Sequence, residues 1–422
     1  MNQRAIEKTE LNKILQIASG YAVTDGGSEK LLILHPSSNV QETRARLCRT
    51  EESIKLLFQH GIAKVEYFPP FLDEIERAKK GSALTCAELL KAENLLRSAR
   101  IAHKSITGVN DEEIKDMKSL ADRLYFDENL EEDIRTKILS DTEVSDYASD
   151  KLYSVRREIR LLNERIRARL AEYLTGSEGK FLQDGIITMR DNRYVLPVRA
   201  EYKRNIKGFI HDRSASGATF FIEPEEVLEM NNELRSLAID EKEEVERILG
   251  ELSRRVGFMA DELITDIDVL EDIDVAYARA EFSYKLSCVK PEINGEGIIA
   301  IEQGRHPLID RKKVVPVSLS LGKDYRFLLI SGPNTGGKTV TLKMVGLFAL
   351  MAMCGLFIPA KRAVLSTFCA PICSSHARVY NKEWKEIGVL KAPFKSAFPE
   401  AYIEEGKILW RDNDTLDYTP AP

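Results

Sequence analysis

Residues 332–339 read Gly-Pro-Asn-Thr-Gly-Gly-Lys-Thr, and no other stretch constrains this chain as strongly. The octapeptide matches G-x-x-x-x-G-K-[ST], the P-loop pattern. Its glycines let the backbone wrap so that several N–H groups point inward at phosphate oxygens. The helix that follows adds its positive N-terminal end. Lys338 is placed to reach the β- and γ-phosphates, and Thr339 to ligate Mg²⁺. Gly332, Pro333, Asn334, Thr335, Gly336, Gly337, Lys338 and Thr339 are therefore the expected nucleoside triphosphate site.

The flanks agree. Phe327-Leu328-Leu329-Ile330 reads as a buried-type strand leading into the loop, and an apolar run from Val345 to Ala360 follows. That run has 16 residues and contains Gly346, Gly355 and Pro359. A membrane span needs about 20, so a buried helix is expected and no membrane partner. The six cysteines are scattered and no secretory segment follows Met1, which points to a reducing cytoplasm rather than a disulfide framework.

Hydrolysis needs an acidic pair at the end of a second apolar strand. The nearest match after Thr339 is Lys407-Ile408-Leu409-Trp410-Arg411-Asp412, which is short and interrupted by Arg411. The catalytic residues are thus unknown, with Asp412 and Asp414 the first places to look.

Upstream the pattern is helical. Charged residues make up 30% of the chain, above the usual quarter, which suits long solvated helices. Thr85-Cys86-Ala87-Glu88 fits a capping box. Val144, Tyr147, Leu152, Val155, Ile159, Leu162, Ile166, Leu170 and Tyr173 recur mostly at steps of three and four, ending at Thr175-Gly176-Ser177. A second seam runs from Val227 through Leu234, Leu237, Ile248, Leu252 and Val256 to Leu263, with Pro224 at its opening. Two long helices flanking a short insert predict an antiparallel coiled-coil arm.

The insert reads as β: Gly185–Met189, Tyr194–Val198, Gly208–His211 and Ala218–Phe221, with polar turns between. Pro197 argues that its strand is an edge or bulged there. Residues 151–213 hold 15 Lys or Arg against 8 Asp or Glu, a net of +7, in a chain whose net charge is -6; the remainder is near -13. A basic tip on an acidic protein suits phosphate contact. The candidates in the insert are Arg190, Arg193, Arg199, Lys203, Arg204, Lys207 and Arg213. Arg156, Arg157, Arg160, Arg165, Arg167 and Arg169 join them on the outgoing helix, where a solvated coiled-coil face is the competing explanation. His211, Asp212 and Ser214 are too close in sequence to form a working triad. Cys369, Cys373 and His376 lack a fourth metal ligand.

Several of these motifs together resemble the MutS family. Ser331 through Val340 reads SGPNTGGKTV, Gly355-Leu356-Phe357-Ile358-Pro359-Ala360 follows, and Gly304-Arg305-His306-Pro307-Leu308 precedes. Arg193–Val198, His211-Asp212, Ser214–Gly217 and Phe221–Pro224 resemble one branch, the bacterial MutS paralogue that usually carries a C-terminal Smr nuclease domain. The resemblance covers about residues 1–368. It implies a mainly α fold with an antiparallel coiled-coil arm and β clamp, followed by the start of an α/β P-loop NTPase domain of the ABC type. The implied segments are a helical core and lever (1–130), the arm (131–265) with its clamp (about 181–223), a return helix (266–296) and the beginning of the ATPase domain (297–368), before an unrecognised tail (369–422).

The resemblance further implies a cytoplasmic, dimeric, DNA-dependent ATP hydrolase using ATP and Mg²⁺. Its implied partner is mismatched or branched double-stranded DNA, in repair and suppression of homologous recombination. In this branch it also implies binding to stalled ribosomes, so a rescue ATPase using the same arm on rRNA is the alternative. His306 is implied to lie near the nucleotide base; a buried turn histidine is the other reading. Three features depart from the family. The mismatch-reading N-terminal domain is not recognised, and Phe126-Asp127-Glu128 and Phe221-Ile222-Glu223 match its Phe-x-Glu only formally. The ABC signature and acidic strand are not recognised after about Phe368, and no Smr domain follows. A truncated or frameshifted chain, inactive as an enzyme, is the third reading.

Overall fold

The computed structural model describes residues 9–323, Leu328 and 338–367, with backbone alone at Lys338, Thr339 and in short strands between 376 and 420. In chain order the helices are α1 (Leu11–Ser19), α2 (Asp25–Leu32), α3 (Val40–Ile54), α4 (Leu72–Lys79), α5 (Cys86–Thr107), α6 (Asp116–Ala121), α7 (Glu128–Lys137), α8 (Asp150–Thr175), α9 (Glu225–Phe258), α10 (Ala260–Lys285) and α11 (Lys338–Met353). The strands are β1 (Ile138–Ser140), β2 (Glu143–Val144), β3 (Thr188–Arg190), β4 (Arg193–Arg199), β5 (Gly208–Arg213), β6 (Thr219–Pro224), β7 (Glu292–Asn294), β8 (Ile299–Gly304), β9 (Val317–Leu321) and β10 (Arg362–Ser366). The chain forms two compact units. One holds Met1–Pro70, Ser98–Tyr125 and Thr265–Pro422; the other holds Phe71–Arg97 and Phe126–Ile264.

The second unit is built on α8 and α9. Three ion pairs or hydrogen bonds run in opposite sequence directions: Ser149 to Glu244, Arg156 to Glu241 and Arg169 to Glu226. The two helices are therefore antiparallel. Val155, Leu162, Ile166 and Leu170 of α8 share a core with Val227, Leu234 and Leu237 of α9. Steps of three and four place such residues on one helix face, and each fully buried aliphatic side chain contributes roughly 1.5–3 kcal/mol.

The structure corrects both ends of these seams. α8 starts at Asp150, where the Ser149 side chain accepts the Leu152 N–H. Val144 lies instead in β2 and Tyr147 in an exposed turn. The second seam is interrupted: α9 stops at Phe258 and α10 restarts at Ala260. The carbonyl of Ala78 packs so close to Gly257 that a Cβ there would lie 2.4 Å from it. The capping box is formed as read, since Thr85 N–H donates to Glu88 and Glu88 N–H to the Thr85 hydroxyl.

At the far end of the helix pair sits an antiparallel sheet of order β3-β4-β6-β5. β4 is an inner strand, but β3 pairs only with its residues 193–195. Pro197 falls beyond that reach, where Gln183 N–H donates to its carbonyl at 2.8 Å. That flank is met by an isolated bridge between Leu182 and Val198 rather than by a full strand, so the missing proline N–H is tolerated.

In the first unit, α11 packs Met344, Leu347, Phe348 and Met351 against Ile299 and Ile301 of β8 and Leu365 of β10. The sheet runs β7-β10-β8-β9; β10 is parallel to β7, and the other pairs are antiparallel. The apolar run after the P-loop is helical only to Met353 and turns at Gly355, whose φ of +80° is left-handed. The expected strand 327–330 lies outside the described residues apart from Leu328. Among the described residues, 407–410 pair with 401–404 in a two-stranded hairpin, while Asp412 and Asp414 lie outside the described residues.

Candidate nucleic-acid interface and nucleotide pocket

The basic residues of the second unit separate into two groups. Half of those on α8 are neutralised. Arg156 donates to Asp146 and Glu241, both at 2.7 Å, Arg160 pairs with Asp146 at 2.8 Å, and Arg169 pairs with Glu172 and Glu226. Arg167 lies 5.8 Å from the centre of the Tyr194 ring. Arg157 and Arg165 are exposed and carry no ion pair among the described residues. The sequence pattern treated the six arginines alike, and ion pairing removes half of them from the free charge.

On the tip sheet the balance reverses. Arg199, Lys203, Arg204, Lys207 and Arg213 are exposed, with no ion pair to a carboxylate among the described residues. Lys203 and Arg213 both lie against the Phe220 ring, at 5.1 and 5.5 Å from its centre. Such cation–π packing holds a charge in place without cancelling it. Arg199 Nε donates to the Leu182 carbonyl, which fixes its stem. Arg190 stacks over Phe221 at 4.1 Å and reaches Asp212 at 3.4 Å, so it is partly neutralised.

Arg193 is different, because its guanidinium is engaged inside the protein. Its guanidinium donates to both oxygens of Glu223, at 2.9 and 3.1 Å, and to Asn232 at 2.6 Å. Glu223 is fully buried and also meets His211 at 2.5 Å and the Asn231 amide at 2.7 Å. Asn231, itself buried, exchanges hydrogen bonds with both backbone groups of Tyr194, whose hydroxyl reaches Asn163. This network ties the sheet to the root of α9. A buried carboxylate is tolerable only with such partners. Sequence reading named Arg193, His211 and Glu223 separately but not their convergence, because the strand register that joins them is not local in sequence.

The remaining motif matches have structural explanations. His211 faces Glu223, Asp212 faces Arg190, and the Ser214 hydroxyl faces Ser216, so the three form no triad. Asp127 of the Phe126-Asp127-Glu128 match caps α7, accepting from the N–H groups of Asn129 and Leu130. Cys48, Glu52 and Asp116 cluster closely enough for a metal. The Glu52 carboxylate, however, accepts the N–H groups of Asp116 and Met117 at the start of α6. Burial pushes the Cys48 thiol up to about 11, far from a ligating thiolate.

His306 lines a pocket of about 440 Å³ with Pro307, Leu308, Arg311, Leu286 and Ile17. It is buried, and burial holds its pKa below the usual 6.5, so the ring is neutral near pH 7. Its Nδ1 faces the Leu308 N–H at 3.4 Å. Both readings of His306 fit this position. The phosphate-loop residues 331–337 and the side chains of Lys338 and Thr339 lie outside the described residues, as do the side chains of the Cys369, Cys373 and His376 group. Helix α11 does begin at Lys338, as a P-loop requires. Its far end is held by side chains of the same unit. Arg46 donates to the Met353 carbonyl at 3.2 Å, Arg279 to Cys354 at 3.0 Å and the Thr50 hydroxyl to Gly355 at 2.7 Å. Among the described residues no helix is long and apolar enough to cross a membrane.

Comparison with known proteins agrees with this architecture. Residues 328–380 match the family model of MutS domain V, so the likeness extends past Phe368. The chain belongs to the MutS family. Within it, the chain is similar to proteins named Endonuclease MutS2. That of Clostridium botulinum is 41% identical over 370 residues, 87% of this chain and 47% of the relative. That of Clostridioides difficile is 39% identical over 363 residues, 85% and 46%. That of Clostridium beijerinckii is 39% identical over 364 residues, 86% and 46%. The chain thus spans a little under half the length of these relatives.

Proposed function

We propose that this chain binds ATP and Mg²⁺ at residues 332–339 and grips DNA with its tip sheet, as part of a MutS-type protein acting on mismatched or branched DNA to restrain homologous recombination. In this reading residues 131–265 are an arm and about 181–223 its clamp. One observation carries the DNA half of the proposal. The tip presents Arg199, Lys203, Arg204, Lys207 and Arg213 without carboxylate partners among the described residues, on a chain of net charge -6. Unneutralised cations concentrated on one small sheet favour a polyanion. The P-loop sequence and the start of α11 at Lys338 support the nucleotide half.

The test is competition. Purified chain is bound to a labelled four-way DNA junction and challenged with ribosomes, and its co-sedimentation with ribosomes is measured separately. Retention on the junction at equal competitor concentration supports the DNA reading. Transfer to ribosomes overturns it in favour of a ribosome-binding ATPase.

A further inference from the structure

The tip sheet ends in an edge strand, β5, which carries two large exposed apolar side chains. Phe209 is 56% exposed and Ile210 is 53% exposed. Neighbours on a strand point to opposite faces, so the edge offers an apolar group on each side. Phe209 pairs with Glu223 and Ile210 with Ile222 across the β5–β6 ladder. The backbone fits tightly there: a Cβ on Gly208 would lie 2.0 Å from the Glu223 carbonyl. Phe209 is thus displayed from a rigid support rather than a loose loop.

The surroundings decide what covers it. Lys207 and Arg213 stand at the two ends of the strand, and Lys203 and Arg213 flank the Phe220 ring on the face that Ile210 shares. A second copy of the chain is a poor fit. Antiparallel pairing of β5 with itself about Ile210 would set Lys207 opposite Arg213, a like-charge clash. The ladder is also broken by a bulge between Ile210 and Asp212, which blunts edge-to-edge pairing. Phe209 itself lies on the other face, together with Lys207 two residues before it. An aromatic ring exposed on a strand edge, with free cations at both ends, is the pattern of single-stranded nucleic-acid binding, where phosphates meet the charges and bases stack on the ring.

We propose that Phe209 is a stacking platform for unpaired bases, so that the tip distinguishes DNA with unstacked bases from continuous duplex. This rests on the reading of the tip as a nucleic-acid surface and adds a substrate class to it. Phosphate contacts by Lys203, Arg204 and Lys207 serve any DNA; Phe209 contributes only where a base is free to leave the stack.

The experiment compares affinities of the full chain for a duplex and for the same duplex carrying a short single-stranded gap. Wild type is expected to prefer the gap. Phe209→Ala is expected to lower gap affinity about tenfold while leaving duplex affinity and its salt dependence unchanged. Phe209→Trp is expected to keep the preference, with indole fluorescence that changes on binding the gap and not the duplex. Equal preference in wild type and Phe209→Ala overturns the proposal, as does a wild type with no preference, and in both cases a normal salt slope on duplex leaves the broader reading standing. A Lys203→Ala, Arg204→Ala, Lys207→Ala variant with an unaltered slope overturns both.

Discussion

Arg193 Nη1 donates to Glu223 Oε1 at 2.9 Å, and the carboxylate it meets has no exposed surface. This pair, with His211 and Asn231, makes the junction between the tip sheet and α9. Removing the carboxylate leaves a guanidinium that is 15% exposed and a buried amide without their acceptor. Breaking a buried pair from one side costs about 3–5 kcal/mol. Glu223→Ala is therefore expected to raise hydrogen-exchange rates across 188–224 and to lower the urea midpoint of the unit, with Glu223→Gln milder. Unchanged exchange protection in Glu223→Ala would show the network to be incidental.

Glu244 predicts an acid sensitivity. Its buried carboxylate accepts from Arg247 and from the Ser149 hydroxyl, and these bonds hold its pKa at about 2 instead of 4.5. A depressed folded-state pKa stabilises the fold fully above the unfolded value and loses that contribution as pH falls through the folded value. The stability difference between wild type and Glu244→Gln should be constant above about pH 5 and shrink progressively between pH 4.5 and about 2. A difference independent of pH across that window contradicts the assignment.

Gly355 predicts a packing limit at the C-terminal end of α11. A Cβ at this left-handed position would lie 2.3 Å from Arg279 Nη1 and 2.8 Å from the Arg46 Cβ. Arg279 is buried, its pKa pushed down to about 10 by that burial. Backbone strain alone costs about 1–3 kcal/mol, so Gly355→Ala should melt several degrees lower. An unchanged Tm would contradict this close packing around Gly355.

At the P-loop, Lys338→Ala should weaken Mg·ATP binding by about 10–100-fold through loss of a charge-assisted phosphate contact. Steady-state phosphate release by the wild-type chain should stay at the level of that variant, because no acidic strand is recognised after Thr339. Release clearly above the Lys338→Ala level, with or without DNA, would show a catalytic carboxylate that the sequence does not announce.

How much of this was legible beforehand depended on how local each signal is. The Thr85–Glu88 cap and the tip strands are written in contiguous residues and are legible directly. The α8–α9 pair followed from apolar spacing, which reports a face but not an end. Val144 and Tyr147 kept the period while lying outside α8, and the period ran on through the break at Met259. The charge count found the basic tip but not its partners. Arg156 and Arg193 look as free in the sequence as Lys203, and only tertiary pairing with Asp146, Glu241 and Glu223 sets them apart.

That distinction gives the most direct test. Binding of the chain to duplex DNA should be measured as a function of salt, for wild type, for Lys203→Ala with Arg204→Ala and Lys207→Ala, and for Arg156→Ala with Arg160→Ala. Each phosphate contact contributes about 0.9 to the slope of log affinity against log salt. The account predicts that the tip variant flattens the slope by about 2–3, while the α8 variant, whose arginines are already paired, leaves it unchanged. An α8 variant that flattens the slope while the tip variant does not would place the DNA contact on the helix and contradict the account.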